Sequence, residues 1–302
     1  MYGSNRLSKL FNKTQPIKFT NRDKFIIFSD EHKGTNDWAD DFAHNSTLYF
    51  HVLEKYYCPR EFKYIGLGDT CELLETHKFN KIRKAHSHIF WLMKEKFYKE
   101  NRFYLVLGNH DVVWKFKENV KNMLHKYKDD RDKEVKDLFP GINVPEAIVL
   151  HHEETDKKIF LIHGHQVSPF NYHFWWIGWL LLPVWKGIFQ KFMGWKDPTS
   201  PAQIPVLRGA VERRLEHWVK DNDCILIAGH THRPMFPTKD ADVSYINTGS
   251  CVHPRCITGV EIANGKISLI KWWYSVDENM RSYVKRELVV DNPPTEKDIS
   301  AL

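Results

Sequence analysis

The chain lacks any apolar run long enough to cross a bilayer, which takes about 20 consecutive apolar residues. Its longest stretch without Asp, Glu, Lys or Arg, Ile159 to Trp185, is broken by His163, Gln166, Asn171, His173, Pro169 and Pro183. It also lacks a cysteine framework. Cys58, Cys71, Cys224, Cys251 and Cys256 are odd in number and form no C-x-x-C pair, so a disulfide scaffold is not expected and a reducing compartment is. Met1 to Lys24 is polar and basic without an apolar centre, so no signal peptide is read there. Internal repeats and low-complexity tracts are missing, and so is a strong charge of one sign. Net charge is +6 from 44 basic and 38 acidic residues, a mild bias toward anionic partners such as phosphates or acidic lipid surfaces. No basic stripe interleaved with aromatics marks a nucleic-acid reader, so nucleic acid is not expected as a partner.

What the chain does have is a series of short apolar runs that each stop at Gly, Asp, His or Asn. They are Phe25–Phe28, Tyr64–Leu67, Phe103–Leu107, Ile159–Ile162, Ile225–Ala228, Tyr245–Ile246, Gly259–Ile262 and Ile267–Trp273. Their length and β-branched content predict buried strands that feed loops. Helical spacing recurs between them. Phe79, Ile82, His86, Ile89, Phe90, Met93 and Phe97 form one set, and Val120, Met123, Leu124 and Tyr127 a second. Leu207, Val211, Leu215 and Trp218 form a third, after Pro205, a natural first helical residue. The mixed charges of Lys126–Lys136 read as a solvated helix face. Strands and helices alternate early and strands dominate late, which predicts an α/β sandwich in layers with helices outside. Its 302 residues suit one large unit. The expected organisation is a tail at 1–21, one domain at 22–290 with an aromatic insertion at about 170–200, and a tail at 291–302.

Five strand-end motifs carry the chemistry: Ser29-Asp30-Glu31-His32, Gly68-Asp69-Thr70, Gly108-Asn109-His110-Asp111, His163-Gly164-His165 and Gly229-His230-Thr231-His232. Loops at one sheet edge can bring them together. Carboxylate oxygen with neutral imidazole suits Mn²⁺, Fe or Zn²⁺, and without thiolates a structural zinc is disfavoured. Asp-x-His and His-x-His on extended or loop backbone point alternate side chains the same way, toward one ion. A carboxylate such as Asp69 can bridge two ions, and two ions about 3.5–4 Å apart can clamp a phosphoryl group and activate water. Taken singly, a Gly-Asp or a His-x-His among 17 histidines more often serves the fold. All five in this order are hard to assign to chance.

In that order the motifs resemble the calcineurin-like metallophosphoesterase superfamily, over Phe25 to about Trp273. The resemblance implies a four-layer αββα sandwich with two divalent metal ions, most simply Mn²⁺, at the strand ends. It implies that Asp30, His32 and His232 hold one ion, that Asn109, His163 and His230 hold the other, and that Asp69 bridges. His110 would face the phosphate as a donor, with Asp111 orienting it. His165 would then lie behind the ligands or face substrate, and Glu31 stands where an apolar residue is common. Outside these motifs, Asn247-Thr248-Gly249-Ser250 ends a strand and could approach the site, although its composition also suits a plain turn. Arg233 is a candidate phosphate contact or a surface cation, Cys71 a packed small residue, and Glu72 an orienting carboxylate.

Tyr172 to Trp195 holds five of the eleven tryptophans: Trp175, Trp176, Trp179, Trp185 and Trp195. Pro183 divides it into two expected helices, and Trp185, Ile188, Phe189 and Phe192 form a stripe with lysines off it. The segment reads as an insertion packed on its own core, as a homodimer surface, or as a cap for a lipid substrate that contacts a membrane surface through 172–196. Trp175, Trp176 and Trp179 would then touch substrate. An insertion at this place resembles the UDP-2,3-diacylglucosamine hydrolases of the same superfamily, which implies a peripheral membrane protein that cleaves a pyrophosphate and releases UMP. The expected function is therefore hydrolysis of a phosphodiester or pyrophosphate, with a phosphate-containing small molecule or a lipid-linked substrate. The expected place is the cytoplasm or the inner face of its membrane. Two other readings stand beside it: a soluble phosphodiesterase or phosphatase on nucleotides or phosphoproteins, and a non-catalytic, membrane-docked metal-binding scaffold.

Overall fold

The computed structural model describes residues 2–129, 132–168, 205–237, 243–289 and 295–302. The chain begins with helix α1 (Ser4–Lys13), strand β1 (Pro16–Phe19) and strand β2 (Phe25–Phe28). Helix α2 (Ser46–Val52) leads to β3 (Lys63–Leu67). Three short helices, α3 (Leu73–Thr76), α4 (Phe79–Ala85) and α5 (Ser87–Leu92), lead to β4 (Phe103–Val106). Helix α6 (Lys117–Val120) precedes a small ribbon of β5 (Lys126–Lys128) and β6 (Val135–Asp137), followed by β7 (Ala147–His152) and β8 (Lys158–Ile162). The later elements are α7 (Pro205–Lys220), β9 (Ile225–Ala228), β10 (Tyr245–Asn247), β11 (Cys256–Ala263), β12 (Lys266–Val276), β13 (Ser282–Leu288) and β14 (Glu296–Asp298).

The strands make two large sheets. One has the order β13-β12-β11-β2-β3-β4, with β14 also on β12; the other has the order β1-β7-β8-β9-β10. Strand alternation divides the apolar side chains among three cores. Phe25 and Ile27 of β2 face Ile159 and Leu161 of β8 in the core between the sheets. The intervening Ile26 and Phe28 join Tyr49, Val52 and Phe97 on the outer side. Phe160 and Ile162 of β8 join Leu7 of α1 and Leu215 and Trp218 of α7 on the other. The result is helix, sheet, sheet, helix, the expected mixed α/β layering with sheets flanked by helices. Among the described residues no helix is long and apolar enough to cross a membrane, and the five cysteines are free.

Several elements differ from the sequence reading. Residues 2–19, expected to lie in a loose tail, are built in: Leu7 is fully buried, Phe11 meets Phe160 and Trp218 edge-on, and β1 runs parallel to β7. One apolar stripe on an otherwise polar helix is enough to seal that flank. The C-terminal residues 295–302 also pack, through β14 on β12 and the buried Ile299. The described residues of Lys126–Lys136 do not form a helix face; β5 and β6 pair antiparallel, from Lys126 against Asp137 to Lys128 against Val135. The expected aromatic insertion and its helical cap fall almost wholly on residues 169–204, outside the described residues.

Strand direction prepares the site. β2, β3 and β4 are mutually parallel, and so are β8, β9 and β10. Their carboxyl ends therefore open at one edge, where ligands of α/β folds characteristically bind.

Candidate metal centre

Each motif lies just past the end of one of these strands, and the loops are tied to one another by backbone. Asp30 N–H donates to Gly68 O, His32 N–H to Asp69 O at 2.9 Å, and Gly229 N–H to His163 O at 2.9 Å. The crowding explains the glycines. A methyl group at Gly108 would overlap the Asp69 carboxylate, and one at Gly229 would overlap Ser29 and the Asp30 carboxylate. The Asp-x-His and His-x-His pairs reach the same side, though not on extended backbone. Asp30, His32, Asp69, His230 and His232 have φ of 52°, 47°, 51°, 70° and 54°. Asp and His tolerate this left-handed region better than most residues, yet it costs of order 1 kcal/mol or more at each. Five such residues in one place mark a site where geometry overrides local preference.

Two groups of donors result. Asp30, His32 and His232 each bring one ligand atom within 4.8 Å of the others, and so do Asp69, His163 and His230. His232 Nε2 lies 3.1 Å from Asp30 Oδ1, and His32 Nε2 lies 3.3 Å from His232 Nε2. His163 Nε2 lies 3.1 Å from Asp69 Oδ2 and 3.2 Å from Asn109 Oδ1. Asp69 Oδ2 is also 3.7 Å from His32 Nε2, so this carboxylate stands between the groups.

The hydrogen-bond partners fix which ring nitrogens are acceptors. His163 Nδ1 faces the carbonyl of Leu67 at 3.0 Å and must donate to it. In the neutral ring Nε2 is then a lone pair, facing two oxygens that are themselves acceptors. His32 Nδ1 faces Glu72 Oε2 at 2.9 Å, which leaves its Nε2 as a lone pair facing His232 Nε2. Asp30 Oδ2 is used by the Ser29 hydroxyl and by His230 N–H at 2.9 Å, while buried Oδ1 has no hydrogen-bond partner. Acceptors converging on acceptors need a cation or protons between them. In the protein alone, protons fill the need. Burial disfavours the charged ring of His163, but the Asp69 and Asp30 charges raise its pKa to about 9. Burial, and then the His163 charge, lower His230 to about 3. Burial opposes ionisation of Asp30, but His232 and His163 hold its carboxyl well below the usual range. A divalent cation in each group meets the same need, and carboxylate with imidazole is a suitable donor set for one.

A third grouping, His32, Glu72 and His110, has a different character. Both oxygens of Glu72 lie 2.8 Å from His110 Nδ1, and one also receives His32 Nδ1–H. Two N–H donors on one carboxylate satisfy each other without an ion. Burial works against a charged His110, but Glu72 and Asp69 raise its pKa to about 9. This corrects the role expected of Asp111. Its carboxylate turns back to Gly108 N–H at 2.7 Å and Thr70 N–H at 2.9 Å, because three residues from Gly108 it closes its own turn. Glu72, three residues past Asp69, orients His110 instead. Sequence reading gave Glu72 an orienting role without naming this partner.

The remaining candidates separate. Asn247 to Ser250 does approach: Thr248 Oγ1 lies 2.6 Å from Ser29 Oγ, and Asn247 Nδ2 donates to Gly229 O at 2.8 Å. Buried His165 stands behind His163, ring centroids 5.5 Å apart. Arg233 is half exposed and pairs with Glu212 at 3.3 Å. Cys71 is buried, and burial pushes its thiol up, away from nucleophilic use. Trp175, Trp176 and Trp179 lie outside the described residues.

A family model described as calcineurin-like phosphoesterase matches residues 23–234, more than half of the chain. No curated protein matches it. Among solved structures it is similar to Vps29 of Chaetomium thermophilum, at 12% identity and a TM-score of 0.40, over 91% of this chain and 98% of that one. It is similar to the protein of unknown function AQ665 from Aquifex aeolicus, at 20% identity and a TM-score of 0.38, over 75% and 89%. It is also similar to a cold-active protein-tyrosine phosphatase of a Shewanella species, at 12% identity and a TM-score of 0.37, over 90% and 83%.

Proposed function

The chain belongs to the calcineurin-like phosphoesterase family, whose members are generally metal-dependent phosphoester hydrolases, and from that premise we propose that it hydrolyses a phosphodiester or pyrophosphate bond at the shared sheet edge. The observation that carries the reading is the convergence of metal-type ligand atoms: Asp30 Oδ1, Asp69 Oδ2 and the Nε2 atoms of His32, His163 and His232, with the Nε2 lone pairs of His32 and His163 freed because each ring donates through Nδ1 to an oxygen. In this proposal Asp30, His32 and His232 hold one divalent ion, Asn109, His163 and His230 hold a second, and Asp69 is shared; Mn²⁺ is the ion we propose. Two such ions supply charge for the phosphoryl oxygens and an activated water.

The chain's own residues do the rest. His110 is partly open to solvent and held by Glu72 through Nδ1, so its Nε2 is the atom left for substrate. The two carboxylates beside it favour the protonated ring, which can donate to a phosphoryl oxygen or to the departing oxygen. Asp111 contributes by fixing the turn that carries Asn109 and His110, through its bonds to Gly108 and Thr70. Half-exposed Arg233 is proposed as a further phosphate contact, with Glu212 steadying it.

For the substrate, we propose a UDP-linked acylated sugar, supported by the aromatic composition of residues 172–195 and by their place between the fourth and fifth motifs. The test is UMP release from UDP-2,3-diacylglucosamine in mild detergent with Mn²⁺, beside Asn109→Ala. Release by the native protein and its loss in the variant are expected. A protein that cleaves bis(p-nitrophenyl) phosphate but releases no UMP would keep the hydrolase and reject the lipid-linked substrate.

A further inference from the structure

Two charged residues alternate with the ligands of the first motif and turn into the aromatic core. Glu31, between Asp30 and His32, is fully buried, and Lys33 is 2% exposed. Glu31 Oε1 accepts the hydroxyls of Tyr64 at 2.6 Å and Tyr49 at 3.1 Å, and lies 3.7 Å from Lys33 Nζ. Lys33 Nζ lies over the rings of Tyr49 and Phe42 at 5.4 and 5.5 Å, and donates to Thr70 O at 3.3 Å. The same residue is bound to the neighbouring loop by its backbone: its N–H donates to Thr70 O, and its carbonyl accepts Glu72 N–H at 3.0 Å. The aromatic floor beneath this pair belongs to the apolar core between the seven-stranded sheet and its helices.

Stability does not explain such a pair. Buried ion pairs are often no better than well-packed apolar residues of similar volume, and here Glu31 Oε2 has no hydrogen-bond partner at all. What the pair does hold is spacing. Lys33 joins the loop of Asp30 and His32 to the loop of Asp69 and Glu72, and Glu31 anchors Lys33 from below. We propose that Glu31 and Lys33 are positioning residues for the metal centre, a buried ion pair that sets the distance between the two ligand loops. The proposal rests on the metal-site reading given above.

The test is the double variant Glu31→Leu/Lys33→Met, which removes both charges together and leaves neither one buried alone. Mn²⁺ binding by calorimetry, melting of the metal-free protein and turnover of bis(p-nitrophenyl) phosphate are compared with wild type. Residues that orient metal ligands typically cost about 10–100-fold in affinity or activity when replaced. That loss in Mn²⁺ affinity is expected with the melting temperature held or raised, and excess Mn²⁺ should recover part of the turnover. Wild-type Mn²⁺ affinity and turnover in the folded double variant would overturn the proposal. Should the double variant not fold, Tyr64→Phe carries the test, because it removes one donor to Glu31 and keeps the ring. Weakened Mn²⁺ binding supports the proposal, and unchanged binding overturns it. Asp69→Asn separates the two levels. If it loses Mn²⁺ binding while the double variant keeps it, positioning alone fails; if both bind as wild type, the metal reading fails as well.

Discussion

Replacing Glu72 by glutamine keeps the volume and hydrogen-bond reach of the side chain but leaves one acceptor oxygen where two imidazoles need one. His32 Nδ1 lies 2.9 Å from this carboxylate and His110 Nδ1 2.8 Å. Both must donate if their Nε2 atoms are to serve the site. In the variant the amide N–H₂ faces His110 Nδ1 whichever way it is turned, donor against donor, because both oxygens of Glu72 lie 2.8 Å from that atom. A hydrogen bond to a charged group is worth about 1.5–3 kcal/mol, and each 1.36 kcal/mol is tenfold in rate, so the loss is about 10- to 150-fold. It should fall on kcat more than on KM, since in the proposed mechanism His110 acts on charge that develops in the transition state. The pH profile gives a second readout. His110 is raised to about 9 against burial, by Glu72 first and then Asp69. An acid is lost as pH rises through its pKa, so removing the Glu72 charge should move the alkaline limb of kcat to lower pH. The assay is Mn²⁺-dependent hydrolysis of bis(p-nitrophenyl) phosphate across pH. Unchanged kcat together with an unmoved alkaline limb would refute the reasoning.

Other consequences are as direct. Chelation should abolish turnover, and added Mn²⁺ should restore it; full activity after exhaustive chelation would contradict the two-ion proposal. In the metal-free protein, the pKa of His163 is raised to about 9, above its unfolded value of about 6.5. Its stabilising contribution is complete below about pH 6.5 and lost as pH rises through about 9. The metal-free melting temperature should therefore fall over that interval while Mn²⁺ affinity rises, and calorimetry at both ends would expose the opposite trend. Leu215→Ala opens fully buried space between α7 and the five-stranded sheet. It should cost about 2–5 kcal/mol in urea unfolding and leave turnover per folded molecule unchanged; a selective loss of kcat would show that this packing is felt at Arg233 through Glu212 of the same helix.

The five motifs were legible because metal-type donors placed directly after apolar strands have few structural uses, and because direction along parallel strands sends their ends to one edge. Central strands such as β2, β3 and β9 were legible for the same reason: buried on both faces, they read as unbroken apolar runs. Edge strands carry charges between their apolar residues and escaped that pattern, as β13 does with Lys285, Arg286 and Glu287. β1 lies in the expected tail because Pro16–Phe19 is short and carries a lysine, whereas β7 has a clear apolar run, Ala147 to Leu150, that does not end on one of the metal-type motifs. The family resemblance implies Asp111 as the partner of His110, whereas the tertiary contact on His110 Nδ1 comes from Glu72. Burial of Glu31 and Lys33 could not be read at all, since charged side chains are expected at the surface unless paired, and their cover comes from Tyr49 and Tyr64 on other elements.

The central claim is that the strand-end donors make a metal-dependent phosphoester hydrolase. It is tested most directly by titrating Mn²⁺ into metal-free wild type and Asp69→Asn while following hydrolysis of bis(p-nitrophenyl) phosphate. Saturable, Mn²⁺-dependent turnover is expected in wild type and its loss in the variant, which lacks the carboxylate proposed to be shared. Equal turnover in the two proteins, or none in either at saturating Mn²⁺, would contradict it.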